Sequence, residues 1–438
     1  MSCQQYVPIV PFEDVKDRNE QGSVMLGTKV MLGTKTCLPD DDNVAAPPDL
    51  SSPFMIVSLS SPSHAALLAD RCVLIRDIVA LWASGPSLNQ LLLDLGANLV
   101  LSDSCLYDSF KFSVQGFQRK IPPKEQLDII NSFSFMPLKG PVDVKNPTNV
   151  FCYSEDWSAD GVLRQCYFGL LSVIGSARSA SDKFALNKRE YLGTTSMDAQ
   201  LSLLMANQGK VDSGSLIYDP FAGTGSLLIV ASHFGAYSIG SDIDGRQIRG
   251  KAAVSKFPKK IPMSENHEKA LSMAYKSIQT NVSQYQLGGR VLDSFVGDIA
   301  HHPFRPVSKG IFDAIITDPP YGVRAGAKSI GSRKSGADES SAKPLSSQPN
   351  LKKNGELKYP ETKAYSFPDL LVDLLEFAAC YLVPGGRLVY WYPHDPRNFK
   401  HSDLPEHARL RLVSSSNQPL RDAWARRLVT MEKICTEE

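Results

Sequence analysis

The chain has 438 residues, 42% of them hydrophobic, and a formal net charge of +1. This length allows two or three domains, and the near-zero charge means that any nucleic-acid surface must be a local patch. No apolar stretch reaches the roughly 18 residues of a membrane-spanning helix, and the first residues lack the pattern of a secretory signal. The eight cysteines and eight histidines show no metal-ligand spacing, so we expect reduced thiols, no metal site and a cytoplasmic protein.

Residues 1–50 are predicted to form a disordered, low-complexity tail. They contain the hexapeptide Val-Met-Leu-Gly-Thr-Lys twice in tandem, at 24–29 and 30–35, followed by an acidic segment that bears prolines at 39–48. Two copies of so short a unit do not make a solenoid. No function follows from this segment.

Residues 51–182 are predicted to form a small α+β domain. The apolar pattern predicts a strand, a helix, a segment of either type, a strand, a helix and two strands, at 54–59, 64–71, 72–82, 109–117, 122–135, 150–153 and 162–171. The clearest signal is the alternation of Phe110, Phe112 and Val114 with polar residues, which indicates a half-buried strand.

Residues 183–438 alternate strands with helices, which predicts a largely parallel sheet in an α/β domain. Strands are expected at 215–218, 237–241, 294–296, 312–317, 387–392, 409–414 and 425–433, and helices at 197–207, 226–234, 268–285 and 367–382. The last two strands predict an antiparallel edge. The insert 324–363 is serine-rich and has too few apolar residues for a core, so we expect a mobile loop.

The segment Asp219-Pro-Phe-Ala-Gly223-Thr-Gly225 lies between a strand and a helix. Its glycines allow close approach of the backbone to a ligand. A dinucleotide fingerprint would require a third glycine at Leu228, and the leading acid would repel a pyrophosphate. The pattern favours a cationic ligand without phosphate, such as S-adenosylmethionine, although a tight turn that binds nothing would look similar.

Two further acids follow the next predicted strands. Asp242 ends one of them and is suited to bind ribose hydroxyls, whereas Asp244 lies further into the loop. Asp298 follows Gly297 and is suited to accept the adenine amino group, although such an acid is often only a helix cap or turn residue. Three acids at successive strand ends, after a turn with two glycines, indicate a cofactor site more strongly than any one of them.

The buried run Ile315–Thr317 ends in Asp318-Pro319-Pro320-Tyr321. Prolines stop strand pairing, so these residues lie at the carboxyl end of a strand, where α/β sheets bind ligands. Asp318 and the Pro319 carbonyl are suited to accept N–H bonds from an exocyclic amine, Pro320 fixes the bend, and Tyr321 offers a ring to stack on a flipped-out base. A plain strand-ending turn is the structural alternative.

The two motifs, in this order, resemble those of class I S-adenosylmethionine-dependent amino-methyltransferases. Further segments resemble one family, the catalytic subunits of eukaryotic tRNA (guanine-10 N2)-methyltransferases: 52–59, 81–82, 135–140, 167–169, 188–198, 205–210, 233–237, 313–322 and 384–391. The resemblance covers residues 50–438, while residues 1–50 do not resemble the strand and long helix with which the family begins.

The resemblance implies a reduced ferredoxin-like part and a THUMP-type RNA-binding domain, followed by a Rossmann-like methyltransferase domain. It also implies tRNA as substrate and a heterodimer with a small zinc-binding activator, for which 294–296 is a candidate docking strand. Cofactor binding is implied for Asp219, Gly223, Gly225, Asp242 and Asp298, and catalysis for Asp318, Pro319, Pro320 and Tyr321.

Other functions stay open on the residues alone. The Asp-Pro-Pro-Tyr motif does not separate guanine from adenine, so the chain could methylate adenine in RNA or DNA, or a glutamine side chain. A non-catalytic RNA-binding scaffold is a second alternative. Six basic residues of the first domain are candidates for contacting RNA phosphates: Lys111, Arg119, Lys120, Lys124, Lys139 and Lys145.

Overall fold

The computed structural model describes residues 28–34, 52–193, 196–248, 250, 276–321, 326–330, 362–421 and 423–434. The chain forms two compact units, Met1–Lys183 and Phe184–Glu438. Within the described residues, no helix is both long enough and apolar enough to cross a membrane. The predicted α/β fold with a smaller α+β domain at its amino-terminal side is confirmed.

The first unit contains a six-stranded sheet in the order β2-β1-β3-β6-β5-β4. Neighbouring strands are antiparallel except β4 and β5, which are parallel. The strands are β1 Thr28–Thr34, β2 Phe54–Leu59, β3 Ile75–Gly85, β4 Phe110–Phe117, β5 Asn149–Trp157 and β6 Leu163–Ile174. The helices are α1 Pro62–Arg71, α2 Leu88–Asn98, α3 Asp103–Tyr107, α4 Pro123–Ser132 and α5 Arg178–Lys183.

Local sequence explains most of these elements. Ser61, Ser87 and Ser102 cap α1, α2 and α3 by accepting a backbone N–H bond, and a proline at the start of α1 costs no helical hydrogen bond. The helices and the sheet enclose an aromatic core in which Phe133 and Phe168 stack at 4.3 Å. The segment 72–82, which was compatible with either type of element, contributes to β3 because it lies between two strands in the sheet.

The tail prediction for residues 1–50 is wrong over Thr28–Thr34. This segment forms β1, which pairs antiparallel with β2 on one side and with β3 on the other. Strand partners on both sides satisfy the backbone groups of a segment whose own sequence has little local preference. The rest of the predicted tail lies outside the described residues.

The second unit contains a seven-stranded sheet in the order β14-β15-β13-β10-β7-β8-β9. Its strands are β7 Leu216–Asp219, β8 Tyr237–Asp242, β9 Val291–Val296, β10 Phe312–Thr317, β13 Leu382–His394, β14 Leu410–Arg421 and β15 Trp424–Lys433. A separate antiparallel pair consists of β11 Lys328–Ile330 and β12 Thr362–Ala364. The helices are α6 Ala199–Gln208, α7 Ser226–His233, α8 Gly245–Ile248, α9 Ile278–Gln284 and α10 Phe367–Tyr381.

The order of the strands fixes where a ligand can bind. The five strands from β13 to β9 are parallel, and β14 and β15 add the predicted antiparallel edge. From β7 the chain adds strands toward β9, whereas β10 lies on the other side of β7 and leads toward β13. The carboxyl ends of β7 and β10 therefore flank the point where strand order reverses, which is where open α/β sheets form their binding crevice.

Two predictions fall partly outside the described residues. The insert 324–363 was expected to be mobile throughout, but its ends pair as β11 and β12, while residues 331–361 are not described. The helix predicted over 268–285 is described from Ile278 to Gln284 as α9.

Candidate active site

Asp219 ends β7 with only 1% of its surface exposed. Its Oδ1 atom accepts hydrogen bonds from the Thr317 hydroxyl at 2.6 Å and from the Phe221 backbone N–H at 3.0 Å. Burial raises the pKa of the Asp219 carboxyl to about 7, although both hydrogen bonds act to lower it. Because Thr317 is the last residue of β10, its hydroxyl connects the acid of the first motif to the strand that carries the second.

The turn after β7 depends on two glycines. Gly223 and Gly225 have φ angles of 51° and 79°, a conformation that disfavours other residues. A Cβ atom on Gly225 would lie 3.0 Å from the Cγ2 atom of Ile278, so space is restricted there as well. The Gly223 N–H donates to Oδ2 of Asp242 at 2.9 Å, which fixes the turn against the end of the next strand.

Asp242 ends β8 and is partly buried. Burial raises the pKa of its carboxyl to about 6, and hydrogen bonds from the backbone N–H groups of Asp244 and Gly223 oppose that rise. Asp244 has a different environment, because its carboxylate pairs with both Nε and Nη2 of Arg246, at 2.9 and 2.7 Å. The carboxylate next to the glycine turn is therefore that of Asp242.

Asp298, just after β9, is 4% exposed and already engaged by protein donors. Its Oδ2 atom accepts bonds from the Ser329 hydroxyl at 2.9 Å and the Ile330 N–H at 2.7 Å, both on β11, and lies 3.0 Å from His301 Nδ1. Burial alone would raise the pKa of Asp298, but these bonds outweigh it and lower the pKa. The sequence did not indicate that the segment after Asp318–Tyr321 returns to cover this acid.

Asp318 directly follows β10, and its side chain is 25% exposed. Its Oδ1 atom is buried and has no hydrogen-bond partner among the described residues; the nearest cation is Arg426, whose Nη1 atom is 3.8 Å away. Burial raises the pKa of Asp318 to about 6, while Arg426 and the Tyr321 hydroxyl lower it. An acceptor that is buried yet unpaired is suited to receive an N–H group from a ligand.

Tyr321 lies among aromatic residues from distant parts of the chain. Its hydroxyl accepts a hydrogen bond from Arg426 Nη1 at 3.1 Å, and its ring is 5.9 Å from that of Trp424 and 6.4 Å from that of Phe367. The guanidinium of Arg426 also lies over the ring of Trp391, 4.0 Å from its centroid. Aromatic rings and one guanidinium group therefore line the site next to Asp318–Tyr321.

Sequence reasoning missed Arg426, Trp391 and Trp424. Trp391 was assigned to a strand and to a segment that resembles the family, without a role at the site, and Arg426 is one of two adjacent arginines in a strand taken as an edge. The antiparallel pairing of β15 with β13, with Pro393 opposite Arg426, brings the beginning of β15 to the carboxyl ends of the parallel strands. The one local signal for this group was the aromatic pair Trp391-Tyr392 at the end of the predicted strand 387–392.

The first group of residues fits a ligand with an ammonium group and vicinal hydroxyls. Asp219 is a buried carboxyl without a cation among its hydrogen-bond partners, and Asp242 holds the glycine turn while keeping acceptor capacity. Gly223 and Gly225 adopt positive φ angles and carry no side chain that would stand between the turn and a ligand. The predicted role of Asp298, to accept the adenine amino group, fits the structure less well. The amino group would share the Asp298 oxygens with four protein donors.

Two family models match the chain. One, described as the Tmrp11 THUMP N-terminal domain, matches residues 47–176, and the other, described as an RMKL-like methyltransferase domain, matches residues 187–333.

Two relatives are similar over most of this chain. A tRNA (guanine(10)-N(2))-methyltransferase of Schizosaccharomyces pombe is 37% identical over 385 residues, which cover 87% of this chain and 74% of that protein. The human tRNA (guanine(10)-N(2))-methyltransferase TRMT11 is 35% identical over 399 residues, covering 87% and 80%. Among solved structures, TrmN from Thermus thermophilus aligns with a TM-score of 0.43 and 16% identity over 93% of this chain and 99% of that one.

Proposed function

The chain belongs to the family of tRNA (guanine(10)-N2)-methyltransferases, and we propose that it is the catalytic subunit of such an enzyme, which transfers a methyl group from S-adenosylmethionine to the exocyclic N2 amine of guanosine 10 in tRNA. The observation that supports the site most directly is the hydrogen bond from Thr317 to Asp219. Through this bond, Asp219 contacts the last residue of β10, which Asp318 directly follows.

Asp219, Gly223, Gly225 and Asp242 are proposed to bind the cofactor. The Asp219 carboxylate would pair with the ammonium group, whose positive charge offsets the cost of ionising a buried acid. Asp242 would accept bonds from the ribose hydroxyls, and Asp298 would lie near the adenine. S-Adenosylmethionine supplies an electrophilic methyl group on a sulfonium centre.

Asp318, Pro319, Pro320 and Tyr321 are proposed to bind the acceptor base. The unpaired Oδ1 atom of Asp318 would accept one N–H of the guanine amine, and the Pro319 carbonyl would accept the other. Holding both hydrogens points the nitrogen lone pair at the methyl group and supplies catalysis by orientation. As the N–C bond forms, the bond between the methyl carbon and sulfur would break, and the amine would lose one of these protons to water by way of the Asp318 carboxylate. The Tyr321 ring would stack on the base.

The edge strand β9 is proposed to dock the small zinc-binding activator. β9 is the last strand of the sheet, and two of its large apolar side chains, Leu292 and Val296, are 51% and 47% exposed. An exposed strand edge with apolar side chains is suited to pair with a strand of another protein. The zinc would belong to that partner, and we place the complex in the cytoplasm.

The first unit is proposed to bind the tRNA backbone. Four of the six basic candidates are exposed there: Lys120, Lys124, Lys139 and Lys145. Arg119 is less available, because its guanidinium pairs with Glu125 at 2.7 Å and Glu155 at 3.4 Å and stacks on Trp157. Lysines in an exposed group contribute a binding energy that weakens with salt.

Family membership favours guanine over adenine and an enzyme over a scaffold. The decisive experiment is methylation of unmodified tRNA by the chain together with its activator, followed by nucleoside analysis. We expect N2-methylguanosine, and none from a tRNA with adenosine at position 10. N6-methyladenosine as product would support the alternative substrate, and cofactor binding without any methylated product would support the scaffold.

A further inference from the structure

Arg426 is a cation at the site, and no local sequence motif predicts it. Its side chain is 11% exposed, and each part of the guanidinium has a different neighbour. Nε donates to Gln418 Oε1 at 2.7 Å, Nη1 donates to the Tyr321 hydroxyl at 3.1 Å, and the plane lies 4.0 Å from the centre of the Trp391 ring. These contacts leave little freedom for the planar group, so its donors have fixed directions.

The contact between Arg426 and Asp318 is within ion-pair distance but too long for a hydrogen bond. Arginine and carboxylate usually form two parallel N–H···O bonds when their role is to stabilise a fold. Here Nη1 is 3.8 Å from Asp318 Oδ1, and that oxygen has no hydrogen-bond partner among the described residues. The Nη2 group of Arg426 likewise donates to none of the described residues. Asp318 Oδ1 thus lies 3.8 Å from a guanidinium that does not hydrogen-bond it, and the same guanidinium keeps one donor group, Nη2, without a partner among the described residues.

This pair matches one edge of guanine. Along its Watson–Crick edge, guanine presents the N2 amine, then the N1–H donor, then the O6 acceptor, and flipped-out bases are read along this edge. We propose that Arg426 is a specificity-determining residue, which donates to guanine O6 while Asp318 accepts from the N–H groups beside it. The inference rests on the proposed function, since it concerns the base that this enzyme methylates.

Adenine would satisfy only part of the same pair. If the N6 amine of adenine were brought to Asp318, the next atom along the edge would be the N1 acceptor and the one after it the C2–H group. The carboxylate would then face an acceptor, and the guanidinium would face a carbon with no lone pair. A site that must leave buried polar groups unpaired rejects such an analogue strongly.

The neighbouring arginine provides a matched control. Arg427 follows Arg426 on β15, so its side chain leaves the opposite face of the strand, where it contacts Ser415 and Phe399. Loss of Arg427 should perturb packing of the same strand without touching the base.

The test compares tRNA with guanosine or with 2-aminopurine at position 10. 2-Aminopurine keeps the 2-amine but lacks O6 and the N1–H. For the wild-type chain with its activator, we expect guanosine to be preferred. Arg426→Ala should slow single-turnover methylation of guanosine by about 10- to 100-fold, the effect of one charged hydrogen bond, and of 2-aminopurine by less than about threefold. Arg426→Lys should recover part of the preference, because it restores a donor.

The outcomes are separable. For Arg427→Ala, we expect the methylation rates of guanosine and of 2-aminopurine to fall by the same factor. The same result for Arg426→Ala, which leaves the preference for guanosine unchanged, would overturn the inference and make Arg426 structural. If methylation of 2-aminopurine is too slow to measure, the two tRNAs are compared by competition for binding, where Arg426→Ala should lower the preference of the wild type for guanosine. Binding of S-adenosylmethionine by each variant verifies folding. A wild-type chain that binds cofactor but never methylates guanosine would refute the proposed function itself.

Discussion

Replacing Asp219 with asparagine should stabilise the second unit at alkaline pH while removing its ability to bind cofactor. Both hydrogen bonds that Asp219 receives, from Thr317 and from the Phe221 N–H, end on the same oxygen, Oδ1. The carbonyl oxygen of an asparagine can therefore accept both. The substitution removes a buried negative charge with little change in shape.

The size of the effect follows from the pKa. Burial raises the pKa of Asp219 from 3.8 to about 7, and at about 1.36 kcal/mol per pH unit this difference corresponds to about 4 kcal/mol at pH 8. Because the folded-state pKa of this carboxyl is raised, its contribution makes the folded protein less stable as the pH increases. The contribution to stability is fully present below pH 3.8 and is lost as the pH rises through about 7, because the folded protein must then ionise a buried acid. The new amide N–H₂ costs about 1–3 kcal/mol if left unpaired, so we expect a net gain of about 1–3 kcal/mol at pH 8.

The assay is hydrogen exchange in urea, followed in peptides that cover β7 and β10, at pH values from 4 to 8. At pH 4 Asp219→Asn should be less stable than wild type, because only the cost of the unpaired amide remains. As the pH rises, its unfolding free energy relative to wild type should increase steadily, so that the variant is the more stable protein at pH 8. Asp212→Asn, at an exposed position, should show no such trend. A difference that does not depend on pH would refute the argument that burial of a charge dominates.

Cofactor binding by the same variant provides the second half of the prediction. We expect Asp219→Asn to bind S-adenosylmethionine at least about 100-fold more weakly in titration calorimetry, because the ammonium group loses a buried counter-charge. For the wild type, affinity should fall up to tenfold per pH unit below about pH 7, where the carboxyl must first lose its proton. Unchanged affinity in the variant would remove Asp219 from the cofactor site.

Asp318→Asn should slow single-turnover methylation by at least about 100-fold, the scale for removing one preorganised group, with less than a threefold change in cofactor affinity; lost cofactor binding would make Asp318 structural. Leu292→Asp on the edge of β9 should weaken association with the activator at least tenfold in calorimetry, whereas Val372→Asp on α10, where the side chain is 66% exposed, should not; equal effects would argue against docking at β9. Replacing Lys120 and Lys124 with glutamine should lower the slope of log affinity for tRNA against log salt by about one per lysine, and an unchanged slope would exclude them from the interface.

Patterns a few residues long were enough to predict the sheet and most of the proposed site. Apolar runs followed by Asp-Pro-Pro or by a turn with two glycines mark buried strand ends, because prolines and positive φ angles leave the chain few other conformations. Asp219 and Asp318 were predicted this way, and Asp242 as the acid that ends the next predicted strand. In the structure, Asp219 and Asp242 are the last residues of β7 and β8, and Asp318 directly follows β10. The fold class followed from the same alternation of strands and helices.

Other features depend on partners distant in sequence. The strand β1 has no strong signal of its own and exists through pairing on both sides. Asp298 was predicted to accept the adenine amino group, with a helix cap or turn residue as the alternative. In the structure it caps the short 3-10 helix Ile299–His301, and Ser329 and Ile330 donate to its Oδ2 atom.

The sequence by itself determined the fold class, the strand ends and the acidic residues there, since each is encoded by neighbours along the chain. The tertiary structure alone decided which groups face those acids. Arg426 is 105 residues from Tyr321 and contacts it only because β15 runs antiparallel beside β13, so that the start of one strand meets the end of another. Burial, which raises the pKa of Asp219 and Asp318, likewise arises only when the sheet is assembled.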